Sequence, residues 1–169
     1  ADYGGIAFDF DYDLTGNITS IADAVDEAGS KAFIYDKAGR LIESTGPSGR
    51  FNYIYDPVGN RLSFSHDGET NAYEYLPGTN RLSRISGAQA AVDLSYDDNG
   101  NIILKGTRSF FYNQNNRLIR VAENNTDLGE YVYNYLGQRV KKISDGQVTL
   151  FHYDIAGNLI AESDAQGNI

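Results

Sequence analysis

The chain of 169 residues has no cysteine, no methionine and no tryptophan, only 3 prolines and 2 histidines. Without cysteine there is neither a disulfide scaffold nor a thiolate metal site. Without methionine the chain reads as an excised internal piece of a longer polypeptide. No apolar run approaches the roughly 18 residues of a membrane-spanning helix, and no secretory leader is visible. Basic residues are outnumbered, 14 against 23, for a net charge of −9. That excludes the basic face that nucleic acid, heparin or an anionic membrane requires, so neither nucleic-acid binding nor membrane insertion is expected. No block of like charge marks a disordered tail. No pattern for a cofactor is present.

What the chain does have is tyrosine (13), phenylalanine (8) and glycine (18), a turn-rich and aromatic-rich β composition. These residues recur in register. Tyrosines stand at Tyr12, Tyr35, Tyr55, Tyr75, Tyr96, Tyr112, Tyr133 and Tyr153, spaced 23, 20, 20, 21, 16, 21 and 20 residues apart. Two positions earlier come Phe10, Phe33, Tyr53, Tyr73, Leu94, Phe110, Tyr131 and Phe151. Directly after the tyrosine come Asp13, Asp36, Asp56, Asp97 and Asp154, or Asn113 and Asn134. Four positions after it come Gly16, Gly39, Gly59, Gly100, Gly137 and Gly157, with Thr79 and Asn116 in the remaining copies. A period near 20 sustained over the whole chain marks a repeat architecture, a single array of about eight units over residues 1–169.

Each unit reads as a β-hairpin. Aromatic-x-Tyr places two rings on one face of a strand, because strand side chains alternate. Asp-x-x-Gly is a type I turn in which the aspartate caps its own backbone and glycine supplies the left-handed residue of a bulge. Asp67-Gly68 and Asp145-Gly146 read as tight return turns, whereas "TGPSGR" (Thr45 to Arg50) and "ENNTDLGE" (Glu123 to Glu130) read as longer loops. The aliphatic residue of the return strand lies six after the tyrosine at Ile18, Leu41, Leu118 and Leu159, but seven after it at Leu62, Leu82 and Val140. A one-residue slip would reverse a strand's faces, so the extra residue (Asn60, Asn80 or Gln138) is expected to be absorbed in a longer turn or a bulge. Eight hairpins give about sixteen strands, more than an open sheet carries without curling. The expected fold is therefore all-β: tandem hairpins in a curled or spiral antiparallel sheet. The one helical pattern, Ile18 to Ser30, is expected to be a strand running into a long loop with room for a helical turn.

"YDKAGRLIES", "YDPVGNRLSF", "YLPGTNRLSR", "YDDNGNIILK", "YNQNNRLIRV", "YLGQRVKKIS" and "YDIAGNLIAE" resemble the RHS or YD-repeat family. It includes bacterial RHS polymorphic toxins, the C component of insecticidal toxin complexes, and the teneurins. The likeness covers nearly the whole chain. It implies a strip of a β-shell wall that encloses a C-terminal toxin or effector domain, with flanking repeats as partners, no enzymatic activity of its own, and an extracellular or cell-surface, bacterial setting. Asp56 to Gly59, "DPVG", superficially matches part of the family's self-cleavage signature but sits where the third repeat needs its turn.

The candidates for chemistry are few. His66 and His152 belong to no spaced ligand set, and "SHD" (Ser65 to Asp67) is consecutive, so its side chains do not converge as a triad requires. Asp9, Asp11 and Asp13 share a strand face opposite Phe8, Phe10 and Tyr12, yet at nearly 7 Å apart along a strand they are too dispersed for one cation; no metal is expected. The tyrosine ladder invites carbohydrate stacking, but rings recurring in register should pack on the next repeat's rings. Two alternatives to a shell wall remain: a surface module for adhesion or for binding carbohydrate or protein, and a filament subunit that self-associates edge to edge.

Overall fold

The structure, a computed structural model, describes residues 7–87 and 89–169. It is all-β, with sixteen strands in tandem antiparallel hairpins and one short 3-10 turn. Contacts group the chain into two units, Ala1–Ala91 and Val92–Ile169. The first holds β1 (Phe8–Tyr12), β2 (Ile18–Asp23), β3 (Lys31–Tyr35), β4 (Leu41–Gly46), β5 (Gly49–Tyr55), β6 (Arg61–His66), β7 (Glu69–Tyr75) and β8 (Leu82–Gly87). The second holds β9 (Val92–Tyr96), β10 (Ile102–Lys105), β11 (Arg108–Tyr112), β12 (Leu118–Glu123), β13 (Thr126–Tyr133), β14 (Arg139–Ser144), β15 (Gln147–Tyr153) and β16 (Leu159–Ser163). Within each unit consecutive strands pair, so that every strand but the first and last of the unit has two partners.

The repeated turn closes in one way. The Asp36 N–H donates to Arg40 O and the Gly39 N–H to Asp36 O, and the same pair of bonds forms at Asp13, Asp56, Asp97, Asn113, Asn134 and Asp154. The fourth residue must be left-handed: Gly39 has φ 75°, Gly157 φ 89°, and Asn116, which replaces glycine, φ 56°. Asp164 to Gly167 makes the same turn without a preceding tyrosine.

The return strand differs from expectation. Tyr35 pairs with Leu41, Tyr55 with Arg61, Tyr133 with Arg139 and Tyr153 with Leu159, always the sixth residue on. The strand then skips one residue, so Ile42, Leu62, Val140 and Ile160 have no partner across the hairpin. Asn60 and Gln138 do not lengthen their turns; the bulge lies after them, and Arg61 and Arg139 stand where other copies have an aliphatic residue. Tyr75 alone needs a longer turn, pairing with Leu82 seven residues on.

Asp67-Gly68 and Asp145-Gly146 make the tight return turns expected of them, and two further connections are tighter than expected. Gly46 pairs with Gly49 around Pro47-Ser48, and Glu123 with Thr126 around Asn124-Asn125, whose φ values of 48° and 65° fit a left-handed two-residue turn. The first connection is the long one. β2 ends at Asp23, whose carboxylate accepts from the Val25 and Asp26 N–H groups, and the 3-10 turn Glu27–Gly29 follows, capped by the Asp26 side chain.

Among the described residues no second layer covers either unit's sheet. Among the described residues of the first unit none is buried, and in the second only Leu94, Ala122, Gly129, Phe151 and Ser163 are. Domains ordinarily bury a sheet face against another layer. Here the half-buried rings and the main-chain ladder carry the packing within a single layer.

Candidate functional site: the junctions between hairpins

With no layered core, what joins one hairpin to the next decides whether a wall exists. Strand pairing does only half of it. Between successive hairpins the ladder begins at Glu43↔Asn52, Ser63↔Ala72, Arg120↔Glu130 and Lys141↔Leu150 and runs away from the Asp-x-x-Gly turns. On the turn side the tyrosine-bearing segment has no strand partner in the preceding hairpin. Open clefts lie there, of about 790 Å³ beside Asp13 and Asp36, 540 Å³ beside Tyr53 and Tyr55, and 370 Å³ beside Asp97 and Tyr112.

Side chains bridge the clefts in three ways. First, the tyrosine hydroxyl donates to a main-chain carbonyl of the preceding hairpin: Tyr35 to Ile18 at 2.9 Å, Tyr75 to Arg61 at 2.9 Å, Tyr133 to Leu118 at 2.9 Å and Tyr153 to Arg139 at 3.0 Å. Each acceptor is the residue that pairs with the preceding tyrosine, beyond the end of the ladder between hairpins. A phenylalanine would take that donor away from the carbonyl, a physical reason for tyrosine here. Burial pushes the Tyr75 phenol above its ordinary pKa, and it does the same at Tyr112, where the Asp97 charge adds to it.

Second, the residue after the turn glycine reaches into the next turn. Arg40 donates through Nη1 to Asp56 O at 2.7 Å, Asn60 through Nδ2 to Asn80 Oδ1 at 3.0 Å, Asn101 through Nδ2 to Asn116 Oδ1 at 3.0 Å, and Gln138 through Nε2 to Gly157 O at 3.3 Å. The same side chains also bind their own turn: Arg40 Nε lies 2.7 Å from Asp36 Oδ2, and Asn60 and Asn101 each donate to Asp56 and Asp97 at 2.8 Å. Arg117 packs its guanidinium where a Cβ on Gly137 would stand. Glycine is thus required at Gly137 by its positive φ of 81° and by the close approach of Arg117.

Third, guanidinium groups cover the next hairpin's rings. Arg40 lies 5.0 Å from the Tyr55 centroid, Arg61 4.4 Å from Tyr73, Arg117 5.6 Å from Tyr133 and Arg139 4.6 Å from Phe151. These are cation–π distances. Ring-on-ring packing occurs within the third hairpin, Phe51 with Phe64 at 6.2 Å and Tyr53 with Phe64 at 5.5 Å. At the four junctions named, arginine takes the place expected for a second ring.

The turn aspartates are acceptors throughout. Asp154 Oδ1 takes the Ala156 and Asn158 N–H groups and Oδ2 the Asn158 amide. Bonds led by that amide hold its carboxyl below the usual range, and Asn101 does the same for Asp97. Asp13, with Asn17 and Thr15 donating, is lowered furthest. Tyr12, in the first hairpin, is exposed, and its hydroxyl has no hydrogen bond among the described residues.

The remaining candidates scatter. His66 Nε2 lies 2.8 Å from Ser48 O and 3.3 Å from Asp67, with its ring stacked on Phe51 at 4.3 Å. His152 meets the buried Ser163 hydroxyl at 2.8 Å. Asp11 accepts from Ser20 at 2.7 Å, and no group of three or more potential metal ligands occurs among the described residues. No helix there is long and apolar enough to cross a membrane. The bridging residue after the glycine is absent from the expected set. Its signal was a polar side chain carrying N–H donors at Asn17, Arg40, Asn60, Asn101, Arg117, Gln138 and Asn158.

Over residues 6–160 these tandem hairpins match a family model, Teneurin YD-shell. The chain belongs to this family. Solved structures share the fold. The Photorhabdus luminescens Tc holotoxin pore matches with TM-score 0.55 and 20% identity over 94% of this chain and 9% of that one. A TcdB2-TccC3-TEV crystal structure matches with TM-score 0.51 and 16% identity over 96% and 9%. The chain thus spans about a tenth of those proteins' length. No curated protein matches it. Its role is that of a structural piece of YD shell.

Proposed function

We propose that this strip forms part of a β-shell wall enclosing a C-terminal toxin or effector domain of the same polypeptide, outside the producing cell, with further repeats pairing at its flanks. The observation that carries the reading is the single layer: a sheet with almost no buried side chains whose hairpins are nonetheless fastened to each other along their length. A wall needs strong lateral joints and two accessible faces; an enzyme needs converging catalytic groups, and this strip works through its joints instead. The similarity to Tc toxin proteins that contain TccC3 favours a toxin as the enclosed domain. Limited proteolysis of the full-length polypeptide tests this. A C-terminal segment protected until the repeats are unfolded supports enclosure, and a segment released at once from intact repeats overturns it. The teneurin description of the family favours a second reading, an adhesive cell-surface module. Saturable binding to cells or glycans by the intact repeats would select it.

A further inference from the structure

Within the first unit the junctions are not equal, and the one between the first and second hairpins lacks most of what fastens the other two. β2 pairs with β3 at two positions only, Ser20↔Ala32 and Ile21↔Lys31, where β4 pairs with β5 at four and β6 with β7 at four. The tight return turn that extends the ladder at β4–β5 and β6–β7 is replaced by the Asp23–Ser30 loop with its 3-10 turn. On the opposite side Asn17 occupies the bridging position but turns inward, giving its amide to Asp13 at 2.9 Å and Thr15 at 2.9 Å rather than to the turn at Asp36. The cleft there, about 790 Å³, is larger than those beside Tyr53 and Tyr112, and is lined by Asp13, Thr15, Asn17, Tyr35, Asp36 and Lys37. Among the bridging contacts described above, only the Tyr35 hydroxyl on Ile18 O crosses it.

β10 and β11 also pair at two positions, Leu104↔Ser109 and Lys105↔Arg108, but they meet at a tight turn and the bond from Asn101 to Asn116 spans their cleft. Shortened pairing and a missing turn-to-turn contact coincide at β2–β3.

We propose that the β2–β3 junction is a built-in opening seam of the first unit, the line along which the β1–β2 hairpin parts from β3 while β3 to β8 stay paired. Local opening follows the places with fewest cooperative contacts, and repeat arrays part at their weakest nearest-neighbour interface. The inference does not depend on what the wall encloses.

Residue-resolved hydrogen exchange on the chain tests it. Amides joining β2 to β3 should exchange at least about tenfold faster than those joining β4 to β5, while amides joining β1 to β2 remain protected. Equal exchange at the two junctions overturns the proposal. So does a gradient in which β1 loses protection before the β2–β3 amides, since that is fraying from an end. Asn17→Arg supplies the missing contact: at the equivalent position Arg40 binds Asp36 through Nε and the next turn through Nη1. This substitution should slow exchange across β2–β3 severalfold and leave β4–β5 unchanged. No slowing in a variant that keeps the wild-type spectrum counts against the seam.

Discussion

Tyr133→Phe removes one oxygen and nothing else, and its consequence follows from the junction geometry. The hydroxyl donates to Leu118 O at 2.9 Å in a partly buried setting. The ladder between β12 and β13 begins only at Arg120↔Glu130, so it does not reach that carbonyl. A neutral hydrogen bond contributes about 1 kcal/mol net, rising toward about 2 when the stranded partner stays out of water. The expected loss is therefore about 1 kcal/mol. With an m-value of roughly 2 kcal/mol/M in urea, the midpoint should fall by about 0.5 M with m unchanged. Tyr35→Phe and Tyr75→Phe sit in equivalent settings and should behave alike. Tyr153→Phe, at an exposed bond, should cost under about 0.5 kcal/mol because water can replace the donor. Tyr12→Phe is the control, since its exposed hydroxyl has no hydrogen bond among the described residues and its loss should have no measurable effect. If Tyr133→Phe and Tyr75→Phe prove as harmless as Tyr12→Phe, the hydroxyls do not fasten the hairpins and the account of the junctions fails.

Other consequences are as direct. Gly137→Ala should destabilise more than Gly16→Ala, read by urea midpoints. Both impose a left-handed alanine at a cost of about 1 kcal/mol, but only at Gly137 must Arg117 also move, whereas Gly16 has open space. Arg40→Ala should cost about 1–2 kcal/mol by losing the bond to Asp56 O and the cover over Tyr55. The turn carboxylates Asp97, Asp154 and Asp164 are held below their ordinary value near 3.8, led by the side-chain bonds from Asn101, Asn158 and Asn168. A folded value below the unfolded one contributes stability above about pH 4 and loses it as pH falls through the folded value. The urea midpoint should hold from neutrality to about pH 4 and decline below it. Asp97→Asn should flatten part of that decline.

Much of the fold stood in the sequence because repetition averages out local ambiguity. One Asp-x-x-Gly is a weak signal, but the same columns recurring at a period near 20 fix the hairpin and its turn. The return strand was less legible because its pattern was read on aliphatic residues alone. Arg61 and Arg139 hold the position of Leu41 and Leu159, their guanidinium groups lying over Tyr73 and Phe151. Reading arginine as merely polar shifted the apparent register to Leu62 and Val140. Asn124-Asn125 was hidden inside a polar run that looks like a loop, although asparagine tolerates the left-handed backbone both residues adopt. The bridging residue is hard to see in the sequence because arginine, asparagine and glutamine do the same work there, so no single letter repeats. Only the shared possession of N–H donors marks the column.

The central claim is that these hairpins make a one-layer wall around an enclosed volume. Electron microscopy of the full-length polypeptide, at a resolution that traces strands, tests it most directly. The account predicts a hollow particle with this strip as a single uncovered sheet, successive turns in contact, and density for a further segment inside. Packing of both faces of the strip against other elements of the same chain, with no interior space, would contradict it.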